Sequence, residues 1–243
     1  MAGDLAEWKA TRYLDFHDTM VDTESPFPCY FAVDAHKNGD LRYLFAPDPT
    51  SDAGREAVAE GLREYLAEVD SIGDITSLVV FFEPPDGERS AEWYESTFWD
   101  VLAYLAEHDA EPWPSSIPQD PTHPEWTFCF DGRPLFMVAR APFYDERRSR
   151  HTPHGLEITI QPRSVFEGLG AETIRGQLAR KAVRSRLRAY DDVDPHPDIG
   201  DYTDPESSEW KQYFLPESND ETTDRFPLSD LFPGAAEEQP ADD

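Results

Sequence analysis

The chain has 243 residues, of which 39% are hydrophobic and 13% aromatic, so it can bury a sizeable core and does not have the composition of a disordered protein. Asp and Glu number 50 against 21 Lys and Arg, and the net charge of −29 disfavours nucleic acids and anionic membranes as partners because both carry phosphate charge. No segment approaches the roughly 18 apolar residues of a membrane helix, and the N-terminus lacks the basic start and apolar run of a secretory signal, so we expect a cytoplasmic protein.

In the N-terminal part of the chain, apolar residues near helical spacing predict a helix over 4–20. Two apolar runs follow at 29–33 and 41–45, with Asn38-Gly39 between them. Because both residues of that dipeptide tolerate positive φ, the pattern predicts a β-hairpin. A loop at 48–52 then caps a helix that runs to about residue 69.

The middle and C-terminal parts alternate between strand and helix patterns. Residues 77–82 (SLVVFF) are almost continuously apolar and predict a strand buried on both faces, and Ser90 caps the next helix. The later predicted elements, in chain order, are a proline-rich loop at 109–125, a hairpin of 126–130 with 135–139, a strand at 156–160, a helix at 171–190, a long loop at 191–208 and a short aromatic element at 209–215.

Helices interrupted by hairpins favour an α+β fold over a doubly wound parallel sheet. We therefore expect a mixed, largely antiparallel sheet with hairpins, covered by helices. Residues 1–216 are predicted to form a single domain. Residues 217–243 are acidic and contain proline, and they are predicted to form a disordered tail.

Positive charge is concentrated in one region of this acidic chain. Residues 147–188 hold ten Arg and Lys against three Glu. The arginines either pair with acids elsewhere in the fold or form a wall that binds carboxylates, for which the planar guanidinium is suited. The acidic, lysine-poor remainder is what solubility in high salt requires, because salt screens the repulsion between like charges.

Common catalytic motifs do not occur. There is no Walker loop, Rossmann glycine pattern, H-E-x-x-H, paired C-x-x-C or G-x-S-x-G in the sequence. Cys29 and Cys129 lie in apolar contexts, which is typical of buried free thiols, although a thiolate ligand of haem is an alternative. The seven histidines lie mainly in loops, and their spacing selects no metal site.

An ordered set of segments resembles the YqcI/YcgG family. The segments are 27–29 (FPC), 98–99 (FW) with 113–114 (WP), 124–136 (PEWTFCFDGRPLF), 147–150 (RRSR), 161–166 (QPRSVF), 190–191 (YD) with 196–197 (HP), and 209–214 (EWKQYF). The set spans about residues 25–215. The chain departs from the family pattern near its end, where Phe226-Pro227-Leu228 stands in place of a Cys-Pro-Phe-like segment.

The resemblance implies a haem b-dependent monooxygenase that uses dioxygen and an external electron donor to hydroxylate a nitrogen of a guanidine- or amine-bearing small molecule, as in the N-hydroxylase of guanitoxin biosynthesis. A non-catalytic haem-binding protein and a small-molecule binding protein without haem are the alternatives. No nucleic acid or membrane partner is expected.

The resemblance also implies site residues. His196 lies in a matching segment, and its flanking prolines would restrict the backbone, so it is the candidate axial ligand of the haem iron. Asp194 or Asp198 could accept its second N–H. His123 is the alternative ligand. The carboxylates of haem or substrate would be bound by Arg147, Arg148, Arg150 and Arg163.

Overall fold

The structure, a computed structural model, describes residues 6–168, 173–200 and 208–232. The helices are α1 (Glu7–Val21), α2 (Tyr30–Asn38), α3 (Asp52–Glu68), α4 (Ala91–Glu107) and α5 (Ile174–Tyr190). The strands are β1 (Leu41–Ala46), β2 (Ser77–Phe82), β3 (Phe128–Phe130), β4 (Arg133–Arg140) and β5 (Glu157–Pro162). Short 3-10 turns occur at Val69–Ser71, Arg148–Arg150, Arg163–Phe166 and Glu209–Gln212.

The five strands form one sheet in the order β1-β2-β5-β4-β3. Only the β1–β2 pair is parallel among these strands; β2–β5, β5–β4 and β4–β3 are antiparallel. The predicted α+β class, with a mixed and largely antiparallel sheet covered by helices, is therefore confirmed. Within the described ranges, none of the helices combines the length and apolar character needed to cross a membrane.

Each face of the sheet packs against its own core. In β2 every residue is buried, as predicted, and alternate side chains enter different clusters. Leu78 and Val80 join the large core with α3 and α4, whereas Val79 and Phe81 join a smaller core with Phe16 of α1. The sheet is thus a middle layer between helices on both sides.

The hairpin predicted for 29–45 is wrong. Residues 30–38 form helix α2, and Gly39 ends it with a left-handed φ of 80°. The Gly39 and Asp40 N–H groups bond back to the carbonyls of His36 and Ala35. Asn-Gly is favoured at a helix C-terminus as well as in a tight turn, because both require a residue with positive φ. The dipeptide alone therefore did not identify a hairpin. The second predicted hairpin is present, with Asp131 (φ 53°) and Gly132 (φ 68°) at its turn.

The C-terminal segment packs into the domain and is not a tail from residue 217 onward. Phe226, Leu228 and Phe232 are 4%, 7% and 6% exposed and belong to the large core. The Phe226 ring lies 5.1 Å from that of Trp126 and 5.2 Å from that of Trp210. The domain therefore extends beyond the predicted boundary at 216 to at least residue 232. The rest of the predicted tail, 233–243, lies outside the described residues, as do 171–172 of the predicted helix and 201–207 of the predicted loop.

Candidate functional site

A cavity of about 210 Å³, the central cavity, lies against the sheet face that carries α1 and α2. Strands β2, β4 and β5 form its floor, and α1, the start of α2 and α5 form its walls. Most of the lining is apolar: Phe16, Met20, Phe27, Ala32, Leu41, Val79, Phe136, Val138, Phe166, Val183, Leu187, Ile199 and Leu215. The polar lining is concentrated on β5, at the end of β4 and in the turn that follows β4.

Strand β5 places a stripe of polar side chains on the cavity floor. Side chains alternate across a strand, so Ile158 and Ile160 enter the large core while Glu157, Thr159 and Gln161 face the cavity. Burying polar groups on a central strand is costly unless they are bonded. An apolar stripe would suit packing better, so the polar stripe makes this face a candidate binding surface.

Arg140 and Glu157 form an ion pair at one end of the floor. Arg140 Nη1 donates to Glu157 Oε1 at 2.8 Å, and its Nη2 donates to the carbonyl of His151 at 2.6 Å. The two side chains are only 7% and 1% exposed. Arg12 of α1 also lies close, donating to the carbonyl of Leu156 at 2.7 Å, and burial lowers its pKa to about 10. Glu157 is thus a buried carboxylate beside two guanidinium groups.

Of the four arginines singled out in the sequence, Arg147 and Arg150 line the central cavity. Arg147 is 1% exposed; its Nε donates to the carbonyl of Pro216 at 2.9 Å and its Nη2 to Asn219 Oδ1 at 2.8 Å. Its Nη1 atom is buried and has no hydrogen-bond partner. Arg150 bonds through Nη2 to the carbonyl of Gln212 at 3.0 Å, and burial lowers its pKa to about 10. Both side chains therefore hold the C-terminal segment while lining the cavity.

Arg148 and Arg163 do not line the cavity. The guanidinium of Arg148 stacks over the ring of Tyr190 at 5.0 Å and faces an adjoining pocket of about 160 Å³. Arg163 Nε lies 3.7 Å from Glu209 Oε2, and its Nη1 donates to the carbonyl of Glu125 at 3.3 Å. The structure thus brings two of the four predicted arginines to one site. It adds Arg140, which the sequence did not single out because it lies outside the segments of the resemblance.

The cavity wall carries net positive charge. Among its described lining residues are three guanidinium groups, of Arg140, Arg147 and Arg150, against the single carboxylate of Glu157. Asp191 stands behind this wall, where it accepts bonds from the backbone N–H and hydroxyl of Ser149 at 2.7 and 2.8 Å. The lining suits a largely apolar ligand that bears carboxylates.

His196 is buried behind the arginines and does not line the cavity. Its Nδ1 accepts the backbone N–H of Asp198 at 3.2 Å, so its Nε2 carries the ring proton and faces the carbonyl of Glu221 at 3.2 Å. Its side chain is 0% exposed, and this desolvation lowers its pKa. Both ring nitrogens therefore have partners, and ligation of a metal would require at least one bond to be released.

His123 is exposed, and its Nδ1 accepts the backbone N–H of Glu125 at 3.1 Å. It lies in the 109–125 loop, away from the central cavity. Nothing in its surroundings favours it as a ligand over a solvated loop histidine.

Cys29 lines the cavity. It is the residue that precedes helix α2, at the end of the Phe-Pro-Cys segment. Burial raises the pKa of its thiol, and the backbone N–H groups of Ala32 and Phe31 and the charge of Arg186 oppose that rise. The strand predicted for 29–33 did not indicate this position. A helix predicted to begin at residue 30 would have placed the thiol at a helix N-terminus. Cys129, by contrast, is buried in β3, where burial raises its pKa to about 12.

Comparison with known proteins agrees with the ordered segments. The model of the YqcI/YcgG family matches residues 16–229. "Uncharacterized protein YcgG" of Bacillus subtilis (strain 168) is 39% identical over 215 residues, covering 87% of this chain and 85% of the relative. "Uncharacterized protein YqcI" of the same organism is 36% identical over 214 residues, covering 87% and 84%.

A further relative carries a functional name. "Putative N(omega)-hydroxy-L-arginine synthase DcsA" of Streptomyces lavendulae is 29% identical over 232 residues, covering 93% of this chain and 86% of the relative. No solved structure matches. The family match spans most of the chain, including every residue that lines the central cavity, and on this ground the chain belongs to the YqcI/YcgG family.

Proposed function

We propose that this protein is a haem b-dependent monooxygenase that hydroxylates a nitrogen of a guanidine- or amine-bearing small molecule in the central cavity. The name of the DcsA relative supports N-hydroxylation, since it aligns over nearly the whole chain. The observation that carries the proposal is the cavity itself, which combines apolar walls with buried arginines. Dioxygen is the co-substrate, and an external donor supplies the electrons.

Haem needs an apolar slot, an axial ligand and cationic partners for its propionates. The apolar lining of the central cavity supplies the slot, and Arg147 and Arg150 supply the cationic partners for the propionates. The buried Nη1 of Arg147 has a free donor available for a propionate oxygen. His196 remains the ligand implied by the family resemblance, although it would have to release a bond to reach iron.

The size of the cavity favours a second candidate. At about 210 Å³ it is smaller than the roughly 300–1,000 Å³ of typical ligand pockets and smaller than a porphyrin macrocycle. Binding haem therefore requires an outward shift of a covering element, such as α5. A small-molecule binding protein without haem needs no such shift, and it is the alternative that this volume favours.

The reaction consumes one dioxygen molecule per hydroxylation. One oxygen atom forms the new N–O bond, and the other leaves as water with two electrons and two protons from the donor and solvent. The cofactor supplies the oxygen activation. The protein binds and orients the substrate: carboxylates are held by the arginines, and the apolar wall of α5 excludes water.

The proposal is tested with protein expressed with a haem precursor and then supplied with a reductant and ¹⁸O₂. L-Arginine and a panel of guanidines and primary amines serve as substrates, with catalase present and free haemin as the control. We expect a Soret band and a product that carries one labelled oxygen on nitrogen. A Soret band without labelled product would indicate a non-catalytic haem-binding protein. No Soret band would favour small-molecule binding without haem.

A further inference from the structure

We propose that the central cavity binds a small carboxylic acid with an apolar body about the size of a benzene ring, and that Arg147 and Arg150 bind its carboxylate. This inference deepens the second candidate function, small-molecule binding without haem, and rests on it for the position of the ligand. It adds the class, the size and the orientation of the ligand, which the comparisons with known proteins do not give.

The volume of the central cavity limits the size of the ligand. The cavity has a volume of about 210 Å³. An apolar cavity of about 150 Å³ is already large enough to bind benzene. There is therefore room for one ring, or for an aliphatic group of similar size, together with a short acid group. In contrast to haem, such a ligand fits without an outward shift of α5.

Strand pairing gives the floor of the cavity a charged end and an uncharged end. At the charged end, Arg140 on β4 pairs with Glu157 on β5. At the uncharged end, Phe136 on β4 pairs with Gln161 on β5. Because a strand rises about 3.3 Å per residue, the two ends lie roughly 13 Å apart along the sheet. All four side chains line the cavity, so a ligand that lies along the floor meets charged groups at one of its ends.

The walls of the cavity follow the same division. Arg150 lies at the charged end, where its Nη1 donates to the carbonyl of Ala139 at 3.4 Å. Arg147 belongs to the same turn, and its carbonyl accepts the N–H of Arg150 at 2.8 Å. At the uncharged end, the ring of Phe166 lies 5.5 Å from that of Phe136. The lining therefore favours a ligand with its charge beside the two arginines and its apolar body beside the two phenylalanines.

Arg147 and Arg150 have no carboxylate as a hydrogen-bond partner among the described residues. They donate to backbone carbonyl groups and, from Arg147, to one side-chain amide oxygen. The third guanidinium group of the lining differs, because Arg140 donates to Glu157 Oε1 at 2.8 Å. The charged end of the cavity thus combines one neutralised ion pair with two buried guanidinium groups.

A carboxylate in the cavity would supply what these two guanidinium groups lack. Asp191 interacts electrostatically with both Arg147 and Arg150. Its two oxygens, however, accept bonds from the N–H and the hydroxyl of Ser149. The Nη1 atom of Arg147 is buried without a hydrogen-bond partner, and leaving a buried charged donor unsatisfied costs free energy. A carboxylate brings both an acceptor and a negative charge, and it suits the planar guanidinium.

The same lining disfavours cationic ligands. Glu157 is the one carboxylate among the described lining residues, and it is already paired with Arg140. A bound ammonium or guanidinium group would therefore face Arg147 and Arg150 without a free counter-charge, and a buried charge without a partner is costly. L-Arginine is thus expected to bind more weakly than an acid with an apolar body.

Isothermal titration calorimetry of purified wild type tests the class and size of the ligand. The probes are phenylacetate, its neutral amide phenylacetamide, the cation phenethylamine, L-arginine, and diphenylacetate, which carries a second ring. Phenylacetate should bind once per chain and at least about tenfold more tightly than each of the others, because charge-assisted hydrogen bonds are the strong ones and a second ring exceeds the volume. Equal affinity for phenylacetate and phenylacetamide would overturn the inference.

Two matched pairs of variants test the position of the acid. Val183 lines the cavity and Ala182 is exposed, so Val183→Trp should weaken phenylacetate binding at least about tenfold while Ala182→Trp keeps the wild-type affinity. Arg147→Gln should reduce the preference for the acid over the amide about tenfold. Arg148→Gln, which changes the neighbouring arginine of the adjoining pocket, should leave that preference unchanged. Circular dichroism checks folding, and Val183→Trp tests the position without altering Arg147.

The outcomes separate this inference from the proposals on which it builds. Unchanged phenylacetate affinity in Val183→Trp, or a loss in Arg148→Gln with none in Arg147→Gln, would overturn it. Binding of phenethylamine in place of phenylacetate would leave small-molecule binding intact and overturn the acid class. Haem content of the same samples is measured by pyridine haemochrome analysis. Haem without phenylacetate binding would overturn this inference alone, whereas phenylacetate binding without haem would support it and contradict the haem proposal.

Discussion

Arg140 and Glu157 are paired residues on the adjacent strands β4 and β5, and their side chains meet at 2.8 Å inside the protein. Both residues line the central cavity. The register in which β4 pairs with β5 therefore also determines where this ion pair lies in the site. Arg140 also borders the adjoining pocket that contains His151 and Tyr190. The ion pair therefore stands between the two pockets.

Breaking this pair should be costly. Glu157→Gln removes the charge that faces Arg140, and a buried charge left without its partner typically costs about 3–5 kcal/mol. The double variant Arg140→Met/Glu157→Leu should lose less than the sum of Arg140→Met and Glu157→Leu, because each single variant leaves the other member of the pair as a buried charge without its partner. Urea unfolding of all four variants measures these losses. Strict additivity would show that the two side chains do not interact.

Glu209 should make stability fall as pH rises. Thr127 Oγ1 and the Tyr213 hydroxyl donate to its Oε1 at 2.5 and 2.7 Å, and burial raises its pKa above the usual 4.5. The folded state therefore holds this proton more tightly than the unfolded state, so stability is lost as pH rises from the unfolded to the folded pKa.

Glu209→Gln keeps the acceptor and removes the titration. The stability of Glu209→Gln relative to wild type should thus increase over that pH range, as measured by urea unfolding at several pH values. Glu111→Gln, at an exposed position, controls for the lost negative charge. Parallel pH profiles for Glu209→Gln and wild type would contradict the prediction.

The C-terminal segment should contribute strongly to stability. Phe226 packs among the rings of Trp99, Trp126 and Trp210. Phe226→Ala should cost about 3–5 kcal/mol, because it removes buried apolar surface and leaves a cavity. Asp230→Ala, at an exposed position in the same segment, should change stability by less than about 0.5 kcal/mol. Thermal unfolding of both variants distinguishes a packed segment from a tail, for which the two losses would be equally small.

Salt should stabilise the protein. The net charge of −29 produces repulsion within the folded state, and ions screen it. The melting temperature should rise as KCl increases from tenths molar to several molar. Melting temperatures that stay flat over this range would refute the prediction that the acidic composition is an adaptation to salt.

The sequence correctly predicted those elements whose local pattern is typical of only one type of secondary structure. The six buried residues of β2, a cap of α3 within the 48–52 loop, the cap Ser90 of α4 and the Asp131-Gly132 turn all appear as expected. The 29–33 run failed because a five-residue apolar stretch satisfies either a strand or a helix. The tail prediction failed because the acidic composition of 217–243 outweighed short apolar groups such as Phe226 and Phe232, and only tertiary packing shows that these are buried.

The site was partly predictable for a related reason. Arg147 and Arg150 were found because they belong to a compact basic motif. Arg140, Glu157 and Cys29 come together only when β4 pairs with β5 and α2 packs on the sheet. The spacing of these three residues in the sequence does not predict that they lie together. His196 was selected because it lies in a segment of the family resemblance and has flanking prolines, and its side chain is buried in this structure.

We propose that the central cavity holds haem, and haem content after the cavity is filled tests this proposal most directly. Val183 of α5 lines the cavity, whereas the neighbouring Ala182 is exposed, so Val183→Trp and Ala182→Trp form a matched pair. Pyridine haemochrome analysis after expression with a haem precursor should give equimolar haem for wild type and Ala182→Trp, and strongly reduced haem for Val183→Trp. Absence of haem from wild type, or equal haem in both variants, would contradict the account.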